Sequence, residues 1–589
     1  MKGGIRQSNS WLHGWAGLLL GWLMFAIFFT GTIAFFRQEV TIWMQPELHR
    51  AAPVSAEQAA RLGMERLNAI APDASKWGIN LPSERNPSLR ISWESERRGE
   101  GGREGTANGR SERGEPGGRT DRSGSGHRGE GAVQNSAISG ADAQIRAAAE
   151  EAARRANARG GRPRDPGLTL DPKTGEVLNA RETAGGDFLY RFHYQLYAMP
   201  RDWGRWIVGL ATFAMFVAII SGIITHKKIF RDFFTFRGAK GQRSWLDGHN
   251  AMAVLSLPFH IMITFSGLLL LGGTLLPWAS DGRGGHGRGD DHGAVAAAPA
   301  TGSGQSGWQI PIDRILAEAQ AVWGVPAGRL SITRGGGEAQ SVELAIQRND
   351  SLLLRPGGGP GRAMQFDARS GAMTDRSDEM ADNGIVAADR VMSALHLGRF
   401  APWGLRWLYF AAGVMGTVMV GTGLVLWSVK RAEKRRGAAG HFGHRLVDGL
   451  NIATVAGLPL ATGAYFWANR LVAADAPDRV DTEIAVFFGV WAATLVHALV
   501  RPARSAWQEQ LAVAGGLFVT LPLLNPMTGG MGLSAAVGQG NWLVAGFDLT
   551  ALLFGGSLIY ALFHLWQKRS RTSAARPPRA RPVASVPAE

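Results

Sequence analysis

Apolar residues in this chain gather into runs of roughly 17–25 positions, the length an α-helix needs to cross about 30 Å of hydrocarbon. The first run extends from about Gly14 to Phe36, behind a short basic start at Lys2 and Arg6. It is longer than a signal-peptide core and no small-residue cleavage site follows it, so it reads as a retained helix. A long, mostly polar stretch separates it from a second run at about Trp203–Thr225, and a third covers about Ala251–Leu276. After another long polar stretch comes a fourth at Leu405–Trp427. Four more follow with short loops, at about Gly449–Trp467, Ile484–Val500, Leu511–Leu524 and Trp542–Leu565. The pattern predicts a mainly α membrane protein with about eight transmembrane helices.

The two long polar stretches have an order of their own. Each opens with an amphipathic helix (VSAEQAARLGMERLNAI; PIDRILAEAQAVWG) and continues in short alternating strands. Each closes on a D-x-x-[ST]-G turn (LDPKTGEVL; FDARSGAMT), where Gly175 and Gly371 supply the positive φ a hairpin needs. Two small α+β domains are therefore expected, inserted between helices 1 and 2 and between helices 3 and 4.

The expected layout is an N-terminal segment with the first span (1–40), a first outer domain (41–200), and spans two and three around a basic loop (201–280). A second outer domain (281–400), span four (401–430), a basic loop (431–448), spans five to eight (449–566) and a basic disordered tail (567–589) complete it. The Gly/Arg/Ser/Glu-rich stretch near 94–131 has too few apolar residues to build a core and reads as a disordered insertion. The stretch 282–293, with His286, Asp290, Asp291 and His292, reads as a linker rather than a metal site.

Charge then orients the chain. Basic residues cluster after the second span (Lys227, Lys228, Arg231, Arg237, Lys240, Arg243), after the fourth, and in the tail. With eight spans, all three clusters lie on one side, which the positive-inside rule makes the cytoplasm. Both termini are then cytoplasmic, both outer domains periplasmic, and the membrane is a bacterial inner one. The same rule explains the net charge of +15 without nucleic acid, which is not expected as a partner. The absence of cysteine excludes disulfides, thiolate metal sites, cysteine-bound iron–sulfur clusters and covalently attached c-type haem. Any redox metal must be held by other side chains, and the 14 histidines are the first to consider.

A repeat runs through the first four spans. Aligning Thr30-Gly31 with Ser266-Gly267 places His13 on His249, and spans two and four end alike in SGIITHKK and TGLVLWSVKR. A histidine opens each odd span (WLHGWAGLLLGW; LDGHNAMAVLSLPFH), and another precedes each returning span (FLYRFHYQL; SALHLGRF). With the outer α+β loops, these motifs resemble the proteins with PepSY-associated transmembrane helices, over residues 10–430. The last four spans are similar to those of a longer subset of that family. The resemblance implies two PepSY-like outer domains and, by similarity to its di-haem members, reduction of ferric siderophores on the periplasmic side.

Histidine in or beside a span is costly unless partnered and defaults to a functional role. A b-type haem needs two neutral imidazoles on opposite faces of its iron. The repeat offers His13 with His249 toward the cytoplasm and His193 with His396 toward the periplasm. His226 and His260 are alternates, their repeat positions being held by Trp427 and Met24. His249 and His260 are 11 residues apart, about three turns and so on one helix face. Arg37, Arg191, Lys227 and Lys228 are candidate partners for haem propionates. His444, His497 and His564 read as structural, and His49, His127, His286, His292 and His441 as solvated. Asp548, an acid inside the last span, reads first as a hydrogen-bonded structural group and second as a proton- or quinol-handling one.

The reading that gathers these features is a transmembrane electron conduit. Two b haems would pass electrons from a quinol or a cytoplasmic reductase to a ferric siderophore. The competing reading is a non-redox protein, either a transporter component or a module that regulates a peptide or protease. No P-loop or dinucleotide fingerprint follows a predicted strand, so neither ATP nor NAD is expected as a ligand.

Overall fold

Helix periodicity and apolar length carry over into the computed structural model, which describes residues 5–52, 54–95, 140–158, 165–225, 242–276, 310–335, 338–346, 363–376, 384–434 and 442–574. The insertion near 94–131 and the stretch 282–293 lie outside these residues, apart from 94–95. Among the described residues six single helices are long and apolar enough to cross a membrane, and two bent helix pairs raise the number to 8 if each pair is one span.

The first pair is α1 (Ile5–Leu19) and α2 (Gly21–Ala34), bent by 61°. A short α3 (Arg37–Trp43) continues it, and α4 (Ala56–Ile70) opens the first polar unit, capped by Ser55 accepting the Gln58 N–H. Strands β1 (Ala74–Asn80) and β2 (Leu89–Ser95), helix α5 (Gly140–Ala158) and strand β3 (Gly167–Leu170) follow. Helix α6 (Gly185–Gln195) then leads into the returning span α7 (Arg201–Thr225).

The same order recurs. Helices α8 (Gln242–Leu255) and α9 (Leu257–Leu275) meet at 68°. Then come α10 (Ile312–Trp323) and the strands β4 (Ala327–Gly335), β5 (Glu338–Ile346), β6 (Ala363–Asp367) and β7 (Met373–Arg376). Helix α11 (Gly384–Leu397) and the span α12 (Trp403–Lys434) close the second unit. The remaining spans are α13 (Phe442–Ile452), joined through a π-helical turn at Ala453–Gly457 to α14 (Leu458–Leu471), then α15 (Arg479–Val500), α16 (Ala503–Met527) and α17 (Trp542–Ala574).

The odd spans break where the sequence predicts unbroken helices. Leu20 and Ser256, the residues at the two breaks, are 236 positions apart, the same offset that relates His13 to His249. At the second break Pro258 withholds an N–H and crowds the preceding turn. The first break has no proline. There Gly21 sits against Leu424, where a Cβ would meet the leucine side chain at 2.7 Å.

The two polar units do not stand apart. All seven strands form one antiparallel sheet in the order β3-β2-β1-β4-β5-β6-β7, joined at the centre by β1 and β4. Trp77 pairs with Ile332 and Ile79 with Leu330 across that seam, and all four side chains are buried. The buried face continues through Ile91, Val342, Leu344, Met364 and Phe366 and is covered by apolar residues of α4, α5 and α10. Both D-x-x-[ST]-G turns form as the sequence predicts. Gly175 (φ 72°) and Gly371 (φ 67°) donate to Asp171 and Asp367 carbonyls at 2.9 Å each.

Buried ion pairs tie the sheet to the helices. Glu39 of α3 accepts two 2.7 Å hydrogen bonds from Arg85 in the β1–β2 loop and stands 3.4 Å from Arg406 of α12. All three side chains are nearly inaccessible. An exposed pair, Arg61 with Asp313, bridges α4 and α10. Replacing Glu39 by Gln leaves two buried guanidiniums without their counter-charge and should cost about 3–5 kcal/mol of unfolding free energy. Arg61→Ala should cost less than about 1 kcal/mol. Denaturant titration of the full chain in detergent, followed by tryptophan fluorescence, checks both.

Candidate functional site

Four of the histidines singled out by the repeat meet as two pairs. The His13 and His249 rings, on α1 and α8, have centroids 6.5 Å apart at an interplanar angle of 72°. The His193 and His396 rings, in the last turns of α6 and α11, lie 6.3 Å apart at 33°. The first pair lies on the first helix of each bent span, α1 and α8. The second lies at the sheet end.

A common device seats these rings. The Nδ1 of His193 donates to the Ile27 carbonyl at 2.8 Å, and the ring lies over Gly31, four residues on, where a Cβ would fall 2.6 Å from it. His396 is bonded to the Ile263 carbonyl and lies over Gly267, where a Cβ would come within 3.0 Å. Its Nδ1 also stands 3.0 Å from Ser266 Oγ, whose own proton goes to the Met262 carbonyl at 2.6 Å. His249 Nδ1 donates to the Met419 carbonyl at 2.8 Å beside Gly423, and His260 bonds the Ala412 backbone beside Gly416. In every case a carbonyl at position i takes the proton and a glycine at i+4 clears the approach. A side chain at i+4 leans back over the preceding turn and would cover that carbonyl.

This geometry can be tested against the group it resembles a seat for. With metal–imidazole bonds of about 2.0–2.1 Å and about 1.1 Å from the bound nitrogen to the ring centre, two rings facing across one metal ion stand roughly 6.2–6.4 Å apart. The 6.3 Å separation falls in that range and the 6.5 Å separation lies 0.1 Å beyond it. For His193, His249 and His396 the hydrogen bond is made at Nδ1, so Nε2 is the atom that could face a metal, as in the usual outer-shell arrangement of a ligating histidine. Among the described residues no three His, Cys, Asp or Glu side chains gather as a metal site. A two-imidazole donor set suits an iron whose remaining positions are filled by a macrocycle. The surroundings are apolar, with Met24, Ile27, Phe28, Val208, Ala211 and Leu271 clustered nearby. The residues present fit a b-type haem at each pair.

The other expected site residues are placed as follows. His260 is buried in α9 with Phe28 edge-on at 5.6 Å and Ser256 Oγ within 3.1 Å. It docks on Gly416, seven residues and so about 10 Å along α12 from the Gly423 that seats His249, between the two pairs. His226, Lys227 and Lys228 lie outside the described residues, as do His127, His286, His292 and His441. Gly222, the repeat counterpart of Gly423, faces open space. Arg191 is exposed, whereas Arg37 lies 4.6 Å over the Tyr190 ring and 3.5 Å from Asp187. His444 packs against Trp427, His497 bonds Glu509 at 2.8 Å, and His564 meets Tyr560.

Of two further buried groups, one was misread and one was read as it stands. His49, expected to be solvated, is buried: its Nδ1 accepts the Met531 N–H at 3.2 Å and its Nε2 donates to the Ile42 carbonyl at 3.0 Å. Asp548 accepts from Trp43 Nε1 at 2.7 Å and from Asn525 at 3.2 Å, within a cluster that includes Arg470. This is the hydrogen-bonded structural acid of the first reading.

Residues 10–430 match a family model described as the PepSY-associated TM region. An uncharacterised protein of Pseudomonas aeruginosa is 27% identical over 424 residues, covering 67% of this chain and 96% of its own length.

Two outcomes follow from the packing. Gly31→Val should force the His193 ring off its carbonyl and cost about 1–3 kcal/mol by overpacking, whereas Gly222→Val should be near neutral. Thermal unfolding in detergent compares them. Burial, with Arg470 nearby, lowers the His49 pKa to about 4 from 6.5. The fold holds this imidazole neutral, so the unfolded chain takes the proton first. Stability should therefore fall by up to about 1.4 kcal/mol per pH unit between 6.5 and 4. His49→Gln should remove that part of the slope in chemical-denaturation curves.

Proposed function

The chain belongs to the family of PepSY-associated TM regions, and from that premise we propose that it is a b-type haem protein of a bacterial inner membrane that reduces a periplasmic ferric chelate. The observation that carries this reading is the pair of opposed imidazole pairs, one at each end of the pseudo-symmetric bundle, at separations of 6.5 and 6.3 Å. The basic loops set the orientation: the His13–His249 pair faces the cytoplasm, and the His193–His396 pair lies beneath the periplasmic sheet.

Haem bound at each pair supplies one-electron chemistry with no proton transfer required. The chain's own residues supply the rest. His13, His249, His193 and His396 would hold the haem irons. The carbonyls of Ile27, Ile263 and Met419 fix the tautomers of His193, His396 and His249, and the hydrogen bonds make the rings better donors. The glycines bring the helices close enough to hold each ring rigidly, which keeps reorganisation small. The apolar cluster around Phe28 excludes water between the two pairs. One electron from a membrane quinol or a cytoplasmic reductase converts one chelated Fe(III) to Fe(II). The reduced ion binds hard oxygen ligands more weakly, so a ferric siderophore releases its iron.

A dithionite-reduced minus air-oxidised spectrum of the purified full chain, with pyridine haemochrome quantification, tests the reading. Two b haems per chain are expected. His193→Ala or His396→Ala should each lose one haem, and His13→Ala or His249→Ala the other, while His260→Ala should keep both. A chain that stays colourless after expression with added haem would overturn the redox reading and favour a non-redox transport or regulatory module.

A further inference from the structure

The first bent pair can sit in a bilayer as one kinked span, or as a span with a helix lying along the surface before it. Helix α2 runs along α12 in the opposite direction, from Gly21 against Leu424 to Thr32 against Gly413. Between Arg406 and Lys430 α12 carries no charged residue, so its apolar length ends at Lys430 and Arg431 on the basic side. Leu424 precedes Lys430 by six positions, about 9 Å along the helix. Gly21 therefore already stands near the basic boundary, whereas the 15 residues of α1 are roughly 22 Å long. The 61° bend resolves the mismatch: α1 rises only about 11 Å along the α2 axis and travels about 20 Å sideways. Trp15 fixes the level, since its ring meets Trp427 at 5.9 Å and has the Arg431 guanidinium over it at 5.2 Å. Surface placement also gives the bend a cause where no proline supplies one.

Helix α1 has the pattern of an interfacial helix. Trp11, Leu12, Trp15 and Leu19 follow i, i+1, i+4 and i+8, so they share one side, and all four are exposed. His13 falls on the opposite side, where its ring meets His249. From Trp11 to Leu19 only Leu18 is buried against other helices, so protein packing alone holds α1 weakly. Tryptophans suit the headgroup level, where an indole buries its ring and keeps its N–H wet.

We propose that α1 is an in-plane helix seated in the phospholipid headgroup layer on the basic side of the membrane, with Trp11, Leu12, Trp15 and Leu19 against lipid and His13 turned to the bundle. The crossing itself belongs to α2, and the lipid layer supplies the hold on α1 that neighbouring helices do not. The seat needs no haem. Only its use rests on the electron-conduit reading: it keeps His13 opposite His249 at the membrane boundary, where a donor on the basic side reaches the pair without crossing hydrocarbon.

The chain has no cysteine, so Leu12→Cys and Leu19→Cys each give one site for a nitroxide label on the full chain in phospholipid nanodiscs. Collisional relaxation by oxygen and by a water-soluble nickel chelate then reads the depth of each label. Val217→Cys and Ile224→Cys, equally spaced on the exposed side of the spanning α7, provide the scale and should differ by about 10 Å. An in-plane α1 places the Leu12 and Leu19 labels within about 5 Å of one another in depth, both shallower than the Val217 label. A Leu19 label about 10 Å deeper than the Leu12 label, matching the α7 pair, makes α1 part of the span and overturns the proposal. Spin–spin broadening that disappears on dilution with unlabelled chain shows a second copy on this stripe and overturns it equally. Ser8→Cys, exposed on the same side, replaces Leu12→Cys if that variant misfolds. Two shallow, equal depths in a chain that takes up no haem sustain the seat and overturn the electron-conduit reading.

Discussion

An imidazole carried into an apolar bundle must give its proton to something, because water is not there to take it. In a helical membrane protein the only acceptors present at every level are backbone carbonyls, and each already serves its own helix. A second hydrogen bond to such a carbonyl requires the visiting ring to come in beside it, where the side chain four residues later normally lies. The four pairings of Ile27 with Gly31, Ile263 with Gly267, Ala412 with Gly416 and Met419 with Gly423 are solutions to that one problem. They fix how close α2, α9 and α12 lie to the histidine-bearing helices. The dimensions of the first four spans follow from the need to hold rings, more than from apolar packing, which between helices in lipid has little driving force of its own.

The repeat makes this economical, and its departures show where function is concentrated. Both odd spans break at matched positions and both seat a histidine from the following outer helix. Yet Met24 stands where the other half has His260, and Gly222 faces open space where Gly423 seats His249. The outer units obey the same logic at a larger scale. Each brings a half-sheet with β1 or β4 at one edge, and the β1–β4 pairing closes these two edges at once, leaving β3 and β7 at the ends of the joint sheet.

What the sequence disclosed and withheld divides along physical lines. Spans, turns and the offset between halves depend on local patterns, so Trp203–Thr225, the turns at Gly175 and Gly371 and the alignment of His13 with His249 could be read residue by residue. The glycine docks were half visible: Thr30-Gly31 and Ser266-Gly267 stood out as motifs, but their use as ring seats needs a partner helix that no local pattern names. The sheet seam and the Glu39–Arg85–Arg406 group were invisible because they join segments far apart in the chain. His49 was misread for the same reason. Its neighbours in sequence include the charged Glu47 and Arg50, while its burial is completed by the loop around Met531, contributed from far along the chain.

That distant contribution also explains what spans five to eight do for the site. Tyr465 of α14 donates to the Gly185 carbonyl at the start of α6 at 2.9 Å, and Phe188 of α6 is wedged between Tyr465 and Phe487 at 5.2 and 5.1 Å. Thr183, just before α6, donates to the buried Glu483 at 2.6 Å, itself held by Arg479 and Asn469. Lower in the same group, Arg470, Asn525 and Asp548 close around Trp43 at the end of α3. Helix α6 carries His193, so the last four spans grip one of the two helices whose histidines meet at the sheet end. Helix α11, which carries His396, shows no such grip among the described residues. The added spans thus break the two-fold symmetry of the sheet-end pair, holding the helix of His193 from a side where the helix of His396 has no counterpart among the described residues.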